Sequence, residues 1–206
     1  CHTTHSKDSL VGPADLVAVC HRKGINRVII SDHNTIKGAL EAQIIDPDLV
    51  IVGEEIMTTQ GEILAAFVQE EIPAGLTPQE IIKRLKEQDA FISVSHPFDH
   101  TRSGHWQEAD LLEVLPLVDA IETFNARCLL PSMNRKAADF AERHGIPSTV
   151  GSDAHTLWEL GRATLTLPNF NSASELRAVI RQGIPSVRGT GIHARLASRY
   201  AVLSKK

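Results

Sequence analysis

Arg27-Val28-Ile29-Ile30-Ser31 runs directly into Asp32-His33-Asn34, and a helical pattern over Ile36–Gln43 follows at once. A short apolar run bounded by polar residues predicts a strand buried on both faces. A histidine and an acid at its carboxyl end, with a helix close behind, make a strand–site–helix unit. The unit recurs. Further strands are predicted at Leu49–Gly53, Glu62–Val68, Phe91–Ser95, Val118–Phe124, Pro147–Ser152 and Ala163–Leu167, and further helices at Pro13–Lys23, Pro78–Gln88, Ala109–Val114, Ser132–His144 and Ala173–Gln182. Thr77-Pro78-Gln79-Glu80 and Ser172 with Glu175 have the form of capping boxes, and Gly24, Gly145 and Gly183 stand where helices should stop. Alternating strands and helices of this kind predict an α/β fold, a parallel sheet covered by helices, either open or closed into a barrel. Both versions place functional sites beyond the carboxyl ends of the strands.

Size and composition bound the function. The 206 residues, 42% hydrophobic and 22% charged, suit one globular domain with a short extension. We place the domain at residues 1–185 and the extension at 186–206, with Leu196–Lys206 a basic helix or a loose end. Cys1, Cys20 and Cys128 are odd in number and lack a Cys-x-x-Cys spacing, so they read as reduced thiols of a cytoplasmic protein. No apolar run approaches the roughly 20 residues that cross a bilayer, so no membrane partner is expected. A net charge of −4 offers a nucleic acid no general attraction.

Ten histidines in 206 residues direct attention to where they fall. Asp32-His33, Gly53-Glu54-Glu55, Ser95-His96-Pro97 and Gly151-Ser152-Asp153-Ala154-His155 each follow a predicted strand, and Cys1-His2-Thr3-Thr4-His5-Ser6-Lys7-Asp8 opens the chain. Any one of these histidines alone reads as a surface or core residue. Five such clusters on one rim point to divalent cations, because imidazole and carboxylate together suit zinc, manganese or iron.

In their order and spacing these motifs resemble the polymerase and histidinol phosphatase (PHP) family. The match runs from residue 1 to about 185. The resemblance implies a distorted (β/α)7 TIM-like barrel, two or three divalent metal ions, and phosphate-ester hydrolysis by a metal-bridged hydroxide. It carries the metal-ligand role to His2, Asp8, His33, Glu55, His96, Asp153 and His155. It favours Glu55 over Glu54, makes Asp32 an orienting neighbour, and places the first histidine of the family's His-x-His just before Cys1. The family often has a metal-binding histidine on the strand after Gly-x-Glu. Gly61-Glu62-Ile63-Leu64 has none, which puts a third metal in doubt.

A phosphate substrate calls for fixed cations. Asn125-Ala126-Arg127 follows a strand, so Arg127 is expected to hold a phosphate oxygen, with Asn125 and Lys7 as further substrate contacts. Asp153, His155 and Arg127 are the expected catalytic residues. Arg102, in the loop after His96-Pro97, is read as exposed or part of a lid, and Glu122 as an acid supporting the site. The expected partner is a small phosphorylated molecule such as a nucleotide, sugar or metabolite phosphate. The alternatives are a hydrolase of nonphosphate esters or amides, and a noncatalytic metal-binding or regulatory domain.

Overall fold

The computed structural model describes residues 1–205. The elements follow the chain as α1 (Pro13–Arg22), β1 (Val28–Ile30), α2 (Lys37–Ile45), β2 (Val50–Met57), β3 (Glu62–Ala66), α3 (Pro78–Glu87), β4 (Phe91–Val94), α4 (Glu108–Val114), β5 (Ala120–Asn125), α5 (Pro131–His144), β6 (Ser148–Gly151), β7 (Ala163–Thr166), α6 (Ala173–Val179), β8 (Ile184–Val187) and α7 (Ile192–Ser204). The expected caps form. Thr77 Oγ1 accepts from Glu80 N at 3.3 Å and Ser172 Oγ from Glu175 N at 3.1 Å. Gly145 closes α5 in the left-handed region at φ 63°. No described helix is long and apolar enough to cross a membrane, and all three cysteines are free.

Strands β1 to β6 form one curled sheet in chain order. The expected parallel sheet is corrected to a mixed one, because β3 runs antiparallel to both β2 and β4. Only Thr58-Thr59-Gln60-Gly61 joins β2 to β3, a link long enough for a hairpin and too short for a crossover. The expected closed seven-strand barrel is also corrected. The sheet is a half-barrel, and β7 pairs antiparallel with β8 as a separate ribbon. Among the described residues no ladder joins β6 to β1. The leading residues bridge that gap instead: Ser31 N donates to Cys1 O at 2.8 Å and His2 N to Ala154 O at 2.8 Å.

Strand alternation sorts the side chains. On β2, Val50, Val52 and Ile56 pack outward into the main core under the helices, while Ile51 and Glu55 face the concave side. On β3, Ile63 and Ala65 point outward while Leu64 and Ala66 line the concavity. A second core of Ile51, Ala66, Phe91, Ala120, Leu176 and Ile180 fills one end of the concavity, under α6. The opposite end is polar. The expected boundary after residue 185 falls inside β8, and the tail forms α7, which is joined to the sheet by the arginine contacts described below.

Candidate metal centre

The carboxyl ends of β1, β2, β4 and β6, together with the leading loop, bring His2, Asp8, His33, Glu55, His96, Asp153 and His155 together. His2 Nε2 lies 3.3 Å from Glu55 Oε2 and 3.2 Å from Asp153 Oδ1. His33 Nδ1 is 3.3 Å from Glu55 Oε2, and His96 Nε2 is 3.3 Å from Glu55 Oε1. His155 Nε2 is 3.1 Å from Asp8 Oδ2. The rings of His2 and His155 stack with centroids 4.1 Å apart. Glu55 is therefore the hub and Glu54 is not. Glu54 points to the other face of β2, where its Oε2 accepts from Ile72 N at 3.0 Å.

Glu62 joins the cluster and was missed in the sequence. Its Oε2 lies 3.2 Å from His96 Nε2. Because β3 is antiparallel, its first residue sits at the rim where its neighbours end. The family's usual metal-binding histidine on this strand would fall near Leu64. That position shares a face with Glu62 but lies one step deeper. The hairpin-length link before Glu62 was the available signal.

Two site residues carry backbone strain: His96 at φ 21° and Asp153 at φ 48° lie in the left-handed region that non-glycine residues rarely adopt. Neighbours hold both. His96 N donates to Glu122 Oε2 at 2.8 Å, and Asn125 Nδ2 donates to Asp153 Oδ2 at 3.2 Å and to Glu122 Oε2 at 3.1 Å. An irregularity in β5 between Glu122 and Phe124 turns both Glu122 and Asn125 inward. Asp32 accepts from Thr3 N at 2.7 Å, Thr3 Oγ1 at 2.6 Å and Ser6 Oγ at 2.6 Å, so it anchors the leading loop.

The electrostatics suit a cation. Burial alone would lower the His2 and His96 imidazoles. Carboxylates overcome it, Asp153 and Glu55 raising His2 to about 9, and Glu55 and Glu62 raising His96 to about 10 against burial and Arg102. His155 goes the other way, pulled to about 4 by burial and the charge of His2, with Asp8 opposing. A neutral imidazole is the form that ligates. The decisive observation is that Asp8 Oδ1, Glu55 Oε2, Asp153 Oδ1, His96 Nε2 and His155 Nε2 are buried without a hydrogen-bond partner. Orphaned donors and acceptors aimed at one another are costly unless a cation gathers them. The donor set fits divalent metals, with ligand atoms of His2, His33 and His155, of His2, Glu55 and Asp153, and of Glu55, Glu62 and His96 each within 4.8 Å of one another.

The expected substrate residues fare differently. Arg127 lies behind His155 and not on the open rim. Its side chain is 5% exposed, and it pairs with Glu159 Oε1 at 3.2 Å and donates to Ala194 O at 2.8 Å and Ser198 Oγ at 2.7 Å. A guanidinium so occupied has no edge left for phosphate, which corrects that expectation. One Arg127 nitrogen is 2.6 Å from His155 Nδ1, which also lies 2.8 Å from Asp153 O. The guanidinium cannot accept, so the two neighbours favour opposite tautomers. Protonated Nδ1 bonded to the carbonyl leaves the Nε2 lone pair facing Asp8, as ligation requires. Asn125 is buried in the site as a support. Lys7 is exposed and makes no hydrogen bond or ion pair among the described residues. The cation that does reach the centre is Arg102, 18% exposed, with NH1 2.6 Å from Asp153 Oδ2 and Nε 3.1 Å from Asp99 Oδ2. A cavity of about 620 Å³ runs through the concavity among Ile51, Ala66, Phe91, Leu165, Phe170 and Leu176 and meets the cluster at His2, Glu55 and Asp153, while His33, Glu62, His96, Arg102 and His155 do not line it.

Residues 131–184 match a family model described as PHP-associated. Two uncharacterized proteins of Methanocaldococcus jannaschii are similar to the chain. One is 36% identical over 173 residues, covering 82% of this chain and 69% of that protein; the other is 38% identical over 122 residues, covering 58% and 69%. Among solved structures, a presumptive metal-dependent phosphoesterase from Bifidobacterium adolescentis has a TM-score of 0.64 at 18% identity, over 89% of this chain and 95% of that one. PsfC from Pseudomonas syringae has a TM-score of 0.66 at 14% identity, over 93% and 88%. At these identities the likeness is one of fold.

Proposed function

The chain belongs to the PHP family, and from that premise we propose that it is a metal-dependent hydrolase of a small phosphate ester, such as a nucleotide, sugar or metabolite phosphate. The observation that carries this reading is the set of buried, orphaned ligand atoms beside a single partly exposed guanidinium, Arg102. Two or three divalent ions, held by His2, Asp8, His33, Glu55, Glu62, His96, Asp153 and His155, would supply an activated water and offset charge on the phosphoryl oxygens. Arg102 takes the phosphate-binding role first expected of Arg127. Its Nε is held by Asp99 Oδ2 and its NH1 by Asp153 Oδ2, and its NH2, 3.4 Å from Asn125 Oδ1, is the nitrogen a phosphate oxygen would take over. Arg127, held by Glu159, Ala194 and Ser198, packs behind His155 as a structural support, and Asn125 is a positioning residue for Asp153.

The test is turnover of p-nitrophenyl phosphate, then of a metabolite phosphate panel and a carboxylate ester panel, by protein reloaded with manganese, iron or zinc. Phosphate-selective, metal-dependent turnover is expected, and Asp153→Asn should abolish it with the circular dichroism spectrum retained. Arg102→Ala should raise KM for a phosphate ester about tenfold or more, the scale of one charge-assisted contact. Bound metal with turnover of no ester class would overturn the hydrolase reading in favour of a noncatalytic domain.

A further inference from the structure

The ribbon β7–β8 carries a charge arrangement that the metal centre does not use. Ala163 pairs with Val187 in its ladder, and one step further Arg188 N donates to Arg162 O at 2.7 Å. The two arginines therefore stand directly opposite each other on one face of the ribbon. Like charges so placed destabilise a ladder. Lys23 adds a third cation, for Lys23, Arg162 and Arg188 line one hollow of about 360 Å³ together with Trp158 and Ser186. No acid lines that hollow, and among the described residues none of the three cations pairs with a carboxylate. We infer that the hollow is a second ligand site, which takes a phosphate group carried on a planar ring, a ligand of the nucleotide class.

Each group has a distinct part. Lys23 Nζ donates to Leu160 O at 2.6 Å and to Trp158 O at 3.3 Å, so its donors fix residues 157–160 and it offers the hollow charge. Burial and the charge of Arg162 lower its ammonium from the usual value, as befits like charges held together. Arg162 lies over the Trp158 ring with its guanidinium carbon 5.1 Å from the centroid, and makes no side-chain hydrogen bond among the described residues. Arg188 is exposed, and its side chain is equally unengaged. Two free guanidinium forks match the oxygens of a phosphate. Trp158, 40% exposed beside them, offers a surface on which a base can stack. A chain of net charge −4 has no general pull on anions, so the attraction is local to this hollow. A local rule broken with no remedy inside the chain is the mark of a functional site. No candidate metal ligand lines the hollow, so the site stands apart from the proposed hydrolysis.

The experiment titrates the full chain with adenosine monophosphate, adenosine and inorganic phosphate in a calorimeter, once reloaded with metal and once with chelator present. With chelator, the nucleotide should still bind and shift the tryptophan emission. Adenosine and phosphate, each reaching part of the site, should bind about tenfold or more weakly. Arg162→Met and Arg188→Met should each weaken the nucleotide about tenfold or more, the scale of one charge-assisted contact, with circular dichroism and metal content unchanged. Trp158→Leu should weaken the nucleotide and leave inorganic phosphate as in the wild type. Wild-type affinity in both arginine variants would overturn the inference. So would nucleotide binding that needs metal, which belongs to the metal centre, and equal affinity for the nucleotide and inorganic phosphate, which leaves the indole without a part. Because binding is read with chelator present, a chain that turns over no phosphate ester leaves this site standing and removes only the proposed function.

Discussion

Asp32 and His33 are adjacent in the chain and do different work. Asp32 pulls the leading loop onto the sheet through Thr3 and Ser6, and only then does His2 reach Glu55 and Asp153. Gly38 on α2 leaves room for that anchor. A methyl there would lie 2.1 Å from Thr3 Oγ1 and 2.3 Å from Asp32 Oδ2. Gly38→Ala should therefore lower metal affinity about tenfold or more by displacing the anchor of His2. Calorimetric titration checks it, and wild-type affinity would show that the anchored loop is dispensable. Arg127 makes a second residue-scale case. Arg127→Met leaves Glu159 buried without its cation and should cost about 3–5 kcal/mol of stability. Arg127→Met with Glu159→Gln should recover much of that loss in urea unfolding, since the stranded charge is gone.

At the scale of elements, α7 changes the meaning of the tail. Ala194, Ser198 and Ala201 face the protein, while Ile192, Leu196, Tyr200 and Leu203 are exposed. The inward small residues let the helix come close enough for Arg127 to bond Ala194 O and Ser198. From α7, Arg195 reaches Asp99 Oδ2 at 2.9 Å and Thr101 Oγ1 at 2.6 Å, in the loop that carries Arg102. Arg195→Ala should speed amide exchange at residues 99–104 and raise KM while leaving metal content unchanged. Unaltered exchange there would separate α7 from the loop. The element-scale error in the sequence reading was β3. Its link to β2 holds no helix, yet the strand was counted with the parallel set, and Glu62 was lost with it.

For the whole molecule, the candidate ligands come from segments spread between His2 and His155, so an ion bound there would tie distant parts of the fold together. Metal that binds only the folded chain stabilises it by about 2.7 kcal/mol at a hundredfold excess over Kd. That corresponds to a rise in Tm of about 5–10 °C for a chain of this size. Chelation should reverse the rise in a thermal melt, and a Tm indifferent to chelator would remove the metal centre from the stability of the fold. Glu54 sets a pH trend of its own. Burial, with Glu71 adding repulsion, raises its carboxyl to about 7, opposed by the bond from Ile72 N. The folded state then holds a proton the unfolded chain releases, so this group's contribution to stability falls as pH rises from about 4.5 to 7. Glu54→Gln should gain in Tm over the wild type at pH 8 and show no such gain near pH 4.

The placement of most candidate ligands on one rim was legible because each sits beside a strand that its own apolar run announces: His33 after Val28–Ile30, His96 after Phe91–Val94, Asp153 and His155 after Ser148–Gly151. Local caps such as Thr77 and Ser172 were legible for the same reason, since their chemistry is complete within four residues. Strand direction, sheet closure and partner choice were not. Whether Glu62 stands at the rim or at the far end depends on which way β3 runs. Whether a guanidinium meets solvent or a buried acid depends on residues far away in sequence, Glu159 and Ser198 for Arg127, Asp153 for Arg102. The sequence alone determined which donors this protein carries and beside which strands they stand. Only the tertiary structure decided which arginine faces the centre and that Glu62 completes it, because those outcomes are set by contacts between segments that no local pattern encodes.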